Sequence, residues 1–297
     1  MKQALPVALA AAVLALLPAV TSAQVASSRA IRFSPLPERV ATADAVVTGK
    51  VTSIEDKTVS AEPFAGAKEK AEYEIAVIKV ADGVLGVKGL THIKVGFVKP
   101  PEGKPIIRPG GYFAPRLTVD EEGLFFLQKH PTESFYTLQG PMSVVTKQNN
   151  DNYDKQLTHA KECAKLLADP KAGLKAKSAD DRALVASMLL IRYTTPVNGQ
   201  TKKEEIDAEQ SKQILTALAD GDWGKAVSMD DLSPQWGFGR LQLTEKDGWN
   251  FQFTAGQPPT AYQDAAKAWL KDNAGTYRVQ KFVSEKKEEK KEEKKEK

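Results

Sequence analysis

The stretch ADAVVTGKV, Ala43–Val51, sets an acidic residue ahead of a short apolar run that is interrupted by Gly49. Valine and threonine in a run of this length favour a strand, read here as Val46 to Ile54. Gly49 puts no side chain where one would normally pack, which predicts a bulge or a sharp coil at that point. Outward from this stretch, Tyr73 to Ala81, Thr91 to Val98, Leu124 to Lys129, Ser134 to Leu138 and Met142 to Thr146 carry the same strand signature between turn residues. Alternation is cleanest in Thr91 to Val98, where Ile93, Val95 and Phe97 share one face and His92, Lys94 and Gly96 the other. Short strands without helix-length crossovers argue antiparallel pairing in a small barrel or sandwich over residues 31–148.

From Asn152 the apolar period becomes helical. Tyr153, Leu157, Ala160, Ala164 and Leu167 follow one face up to Pro170, which stops the run. Ser178 with Asp181 gives a capping signal for a helix through about Tyr193. Thr201 with Glu204 gives another, for a helix carrying Ile206, Ile214, Leu215 and Leu218 and stopped at Gly221. A last helix is expected from Thr260, with Gln263 as its partner, and TYRVQKFV closes the folded part as a short strand. The expected fold class is therefore α+β: an N-terminal antiparallel OB-like β-barrel (31–148), a mainly α-helical C-terminal domain (152–283) and a charged tail (284–297). In that tail, EKKEEKKEEKKEK, residues four apart mostly carry like charges, as in Glu288 with Glu292 and Lys290 with Lys294. Like charges at that spacing oppose a helix, so a solvated, disordered tail is expected.

The N-terminal MKQALPVALAAAVLALLPAVTSA has a positive start at Lys2, an apolar stretch from Ala4 to Val20 and small residues at Thr21 and Ala23. It reads as a secretory signal peptide, residues 1–23, cut near Ala23, which places the protein in the periplasm or the medium. The best later apolar run, Leu184 to Ile191, is only eight residues and reads as the buried face of a helix, so no membrane anchor is expected once the signal is removed. A single cysteine, Cys163, rules out an internal disulfide and leaves the fold to its apolar core. With 42 basic and 38 acidic residues the formal net charge is +4, too even to predict a nucleic-acid partner.

Ala43-Asp44-Ala45-Val46-Val47 with a glycine two residues on, Tyr73 to Val77 running into Val84-Leu85-Gly86-Val87-Lys88-Gly89, and Ile93-Lys94-Val95 together resemble the netrin-like, tissue-inhibitor-of-metalloproteinase-like modules. The resemblance covers about Ala41 to Thr146. It implies an OB-type five-stranded barrel of the kind that bacterial secreted proteins carry in divergent form. The family's inhibitory chemistry depends on a mature N-terminal cysteine that chelates the protease metal. Here the mature chain would begin at Gln24 and no cysteine precedes Cys163, so the resemblance implies the fold without that activity.

Other constellations fall short of a site. His159 and Cys163 share a helix face, but two ligands do not complete a zinc site, and neither CxxC nor HExxH occurs. No GxSxG elbow is present, and Cys163 lies mid-helix without an evident base. The pairs Asp180-Asp181 and Asp230-Asp231 read as acids at helix starts, where they complement the dipole. The sequence therefore predicts a protein without catalytic activity, cofactor or metal.

Two features point to binding. KPPEGKPIIRPGGY, Lys99–Tyr112, holds four prolines and three glycines around an isoleucine pair. Proline stiffens such a loop and lowers the entropy lost when it is ordered, so Ile106, Ile107, Arg108 and Tyr112 are the candidate contact. All four tryptophans lie beyond residue 220, and Trp223, Trp236 and Trp249 are evenly spaced beside glycines, as alternative sugar-binding rings or as core. The function expected is an exported, non-catalytic binding or protein-interaction module of the cell envelope. The alternative is a carbohydrate-binding or carbohydrate-active protein that uses the tryptophans.

Overall fold

The computed structural model describes residues 34–99, 107–108, 112–113, 116–138, 140, 142–197, 200–225 and 231–284. The expected signal peptide and residues 285–297 of the tail lie outside them. The molecule is α+β and contains a β-barrel. Helix α1 (Leu36–Thr42) precedes the strands β1 (Ala45–Ile54), β2 (Val59–Ala61), β3 (Ala71–Leu85), β4 (His92–Val98), β5 (Ile107–Arg108), β6 (Tyr112–Phe113), β7 (Glu122–Lys129), β8 (Tyr136–Leu138) and β9 (Val144–Thr146). The helical part then runs α2 (Tyr153–Ala168), α3 (Pro170–Gly173), α4 (Ala179–Thr194), β10 (Lys202–Glu205), α5 (Ala208–Asp220), α6 (Pro234–Gly239), α7 (Ala261–Asn273) and β11 (Gln280–Val283).

Five strands close the barrel in the order β1-β3-β4-β8-β7, with β7 pairing back onto β1. β2 adds to β3, and β9 adds to β7. Pairing is antiparallel throughout the ring except at β4–β8, which is parallel, so the antiparallel expectation fails at this one seam. The cause is topological: β7 and β8 form an antiparallel pair, and β7 is already antiparallel to β1, so β8 must run with β4.

The opening stretch explains the layering. Ala45 and Val47 of β1 join Phe125 and Leu127 of β7 in the barrel interior, with Ile78, Ile93, Val95 and Phe97. The intervening Val46, Leu124 and Phe126 point to the other face and join the helical core. Because both faces are covered there, Ala45–Val47 of β1 and Leu124–Leu127 of β7 read as continuous apolar runs, whereas burial alternates over His92–Val95 of β4. At Gly49 the β1–β3 register shifts, and a β-carbon there would lie 2.5 Å from the Lys79 carbonyl oxygen. That is the expected bulge, and it lets β1 coil round the barrel.

In the helical part the Ser178 cap forms, its hydroxyl accepting from the Asp181 N–H at 3.2 Å. Two other capping expectations are corrected. Lys202–Glu205 is a strand paired with β11, and α5 begins later, capped by Asp207, whose carboxylate accepts from Glu209 and Gln210 N–H. Thr260 precedes α7 with helical backbone angles, φ −86° and ψ −7°, and its side chain caps nothing. Asp231 also stands short of a helix start: Ser233 is the residue that caps α6.

α1 ties the barrel to the helices although it precedes both in sequence. Leu36 and Val40 are fully buried in the cluster that contains Met188, Leu190, Ile214, Leu218 and Phe238. Its backbone carbonyls at Ala41 and Thr42 accept from Arg192 on α4 (3.1 Å) and Gln128 on β7 (2.9 Å). Arg39 lies over the Phe126 ring and donates to the Met142 carbonyl, and Glu38 pairs with Arg240 just after α6. The buried Glu38 thus meets a cation across the joint, and Arg39 meets a ring face and a carbonyl.

Candidate functional site

An aromatic surface is built from α6, the segment after it and the start of α7. Ser233 caps α6, and the small residues Gly237 and Gly221 allow close approach: a β-carbon on Gly237 would come 2.5 Å from Ser187 Oγ of α4. This crossing places Phe238 at the centre of an aromatic cluster. Its ring lies 5.8 Å from Trp223, 4.9 Å from Trp249, 6.2 Å from Tyr262 and 6.1 Å from Trp269.

The cluster continues to the surface. Trp249 stacks on Phe251 at 5.9 Å, Phe251 meets Phe253 edge-on at 4.9 Å, and Phe253 stacks on Tyr262 at 6.1 Å. Phe253 is 81% exposed, the most exposed large apolar side chain among the described residues. Such an aromatic edge is anchored in the core, so its presentation costs little side-chain entropy on binding.

Next to this edge, and sharing Tyr262 with it, is an open groove of about 550 Å³ lined by Trp236, Tyr262, Gln235, Gln242 and Arg240, with Ser233 and Gly239. The Arg240 charge is met by Glu38. Gln242 holds φ at +52°, a left-handed conformation uncommon for glutamine. Burial pushes the Tyr262 phenol above its ordinary range.

Trp236 and Trp249 are half-buried at this surface, whereas Trp223 is only 4% exposed and donates its indole N–H to the Leu218 carbonyl at 2.8 Å. Trp223 is thus a core residue with both its ring and its polar atom used. Phe251, Phe253 and Tyr262 were not among the sequence candidates. The signal for the first two is the alternation Trp249-Phe251-Phe253 in WNFQF.

In the proline-rich segment, Ile107–Arg108 pairs with Tyr112–Phe113 as a two-stranded ribbon, Ile107 opposite Phe113 and Arg108 opposite Tyr112. This ribbon pairs with no other described strand. Ile106 lies outside the described residues.

Cys163 is fully buried, and burial pushes its thiol up to about 12, helped by the nearby Asp231 and Glu162 charges. A thiolate nucleophile is therefore unavailable there. His159, four residues earlier, lines a small cavity with Asp180, Asp181, Asp222 and Asp231, where Lys225 pairs with Asp180 at 2.9 Å. Among the described residues no three His, Cys, Asp or Glu side chains gather as metal ligands would. Nor is any described helix long and apolar enough to cross a membrane. Compared with known proteins, the chain matches no protein-family model and no curated protein.

Proposed function

We propose that the chain is an exported, non-catalytic binding module of the cell envelope, and that it binds through the aromatic edge formed by Trp249, Phe251, Phe253 and Tyr262. The observation that carries this reading is Phe253, 81% exposed yet stacked on Tyr262 in a cluster rooted at Phe238. A phenylalanine this exposed leaves most of its apolar area in water, and exposed apolar aromatic patches mark interaction sites. The ribbon of Ile107, Arg108 and Tyr112, with Ile106 before it, is a second contact on this reading.

The barrel itself is OB-like on this reading. Its support is the five-stranded ring with strand order β1-β3-β4-β8-β7, a Greek-key path closed by one parallel seam. The netrin-like resemblance agrees with this ring, and the lack of any cysteine before Cys163 separates the chain from that family's inhibitory chemistry.

Co-sedimentation of the mature protein with washed envelopes tests the proposal. Phe253→Ser is expected to weaken retention about tenfold, the scale of one lost aromatic contact, with folding unchanged because the side chain is exposed. Ile107→Ser reports on the ribbon in the same assay. Retention unaffected by Phe253→Ser would remove the aromatic edge from the binding surface.

A further inference from the structure

The groove beside the aromatic edge has its own chemistry. Trp236 and Tyr262 supply two half-exposed rings, and Gln235 and Gln242 supply exposed carboxamides that make no side-chain hydrogen bond to any other described residue. Each carboxamide both donates and accepts, which matches hydroxyl and acetamido groups that do the same. Arg240, the one charged group among the described lining residues, is paired with Glu38, whose side chain is 9% exposed, so those residues offer no surplus charge for an anionic ligand.

Two backbone features shape the groove. Gln242 sits in the left-handed region, φ +52°, a conformation uncommon for such a residue and one that clusters at ligand sites. Gly239 lines the groove, and a β-carbon there would meet no atom within 4 Å. A side chain at 239 would therefore add bulk to the groove lining without its β-carbon touching another atom. A volume of about 550 Å³ lies in the range of small-molecule sites.

From these residues we infer that the groove between Trp236 and Tyr262 is a binding subsite for a neutral saccharide, its rings stacking on the sugar faces and Gln235 and Gln242 bonding the sugar hydroxyls. The inference rests on the binding-module reading and names a ligand class for the surface next to the aromatic edge. A polyproline segment also stacks on aromatic walls, but its backbone offers carbonyl acceptors and no N–H donor to meet the acceptor side of the two carboxamides.

Titration of the mature protein with chitotetraose, cellotetraose and maltotetraose, followed by tryptophan fluorescence and calorimetry, tests it, with decaproline as the competing probe. At least one saccharide is expected to bind at millimolar concentration or below. Gly239→Leu, which adds bulk at the groove lining without entering the core, and Trp236→Ala are each expected to weaken it about tenfold or more. Gly239→Leu keeps the test valid if Trp236→Ala misfolds. Saccharide binding indifferent to Gly239→Leu, no saccharide response, or a response to decaproline alone would each overturn the assignment. Envelope retention sensitive to Phe253→Ser would survive all three of these results, so failure of the saccharide subsite is distinguishable from failure of the binding reading.

Discussion

At the scale of single residues, His130 is the side chain whose surroundings make the sharpest prediction. It is 5% exposed, its ring packs 4.6 Å from Phe135 and edge-on to Tyr73 at 5.4 Å, and its Nδ1 accepts from the N–H groups of Thr132 (3.3 Å) and Glu133 (3.1 Å). That nitrogen shapes the turn between β7 and β8 only while it carries no proton. Burial lowers the His130 pKa, against the opposing pull of the Glu133 and Glu62 carboxylates and the Glu62 carbonyl. The unfolded chain therefore binds the proton more readily. His130 contributes full stability above about 6.5, and the contribution is lost as pH falls below that value towards the lowered native one. In urea unfolding between pH 7 and 5.5 the midpoint should fall, and His130→Asn, whose oxygen accepts the same two N–H groups without titrating, should flatten the fall. An equal fall in the variant would show that other groups carry it.

At the scale of elements, the packing of α6 against α4 turns on two glycines that look alike in the sequence WGFGR. Gly237 faces Ser187 Oγ and the Leu218 side chain at distances a β-carbon cannot take, while Gly239 faces open space. Gly237→Ala should therefore cost about 1–3 kcal/mol through overpacking. Gly239→Ala should stay within about 0.5 kcal/mol of the parent chain, as exposed substitutions do. Thermal or urea denaturation of the two variants checks this, and equal losses would contradict the packing described. The glycine context was legible in the sequence, but which glycine faces α4 depends on a tertiary contact. The same distinction runs through the other elements. The barrel strands and the Gly49 bulge followed from β-branched runs and an interrupted pleat, which are local signals. α1 was missed because seven residues are too few to show a helical period, and its burial of Leu36, Glu38, Arg39 and Val40 together leaves no polar face to contrast with. Thr201 and Glu204 have capping spacing and read as a helix start, yet Lys202–Glu205 is a strand. Its strand state comes from pairing with β11, nearly 80 residues away, and nothing in Lys-Lys-Glu-Glu announces it. Of the candidate site, Trp236 and Trp249 were legible by type and spacing. Phe251 and Phe253 lay in the same stretch, and Tyr262 became their neighbour only through the docking of α7.

At the scale of the whole molecule, barrel and helices share a cluster. Val46, Leu124, Phe126 and Val145 of the barrel meet Leu36 and Val40 of α1 and the buried faces of α2, α4 and α5 in one contiguous core. Coupling of this kind predicts one cooperative transition rather than two. The tryptophans report only the helical part, since all lie beyond residue 220, whereas far-UV circular dichroism also reports the strands. The two probes should give the same midpoint. Leu36→Ala, a fully buried truncation costing about 2–5 kcal/mol, should shift both together. Separate midpoints would mean that α1 does not join the parts energetically.

On the proposed reading this shared core also anchors the binding surface, since the aromatic edge is rooted in it through Phe238. The most direct measurement of that role is site-specific photo-crosslinking in living cells, with the reactive phenylalanine analogue at position 253 and, as a control, at Phe64, which is 61% exposed on the barrel side of the chain. The account predicts a discrete adduct of higher mass from position 253 and none from position 64. No adduct from position 253, or the same adducts from both, would contradict it.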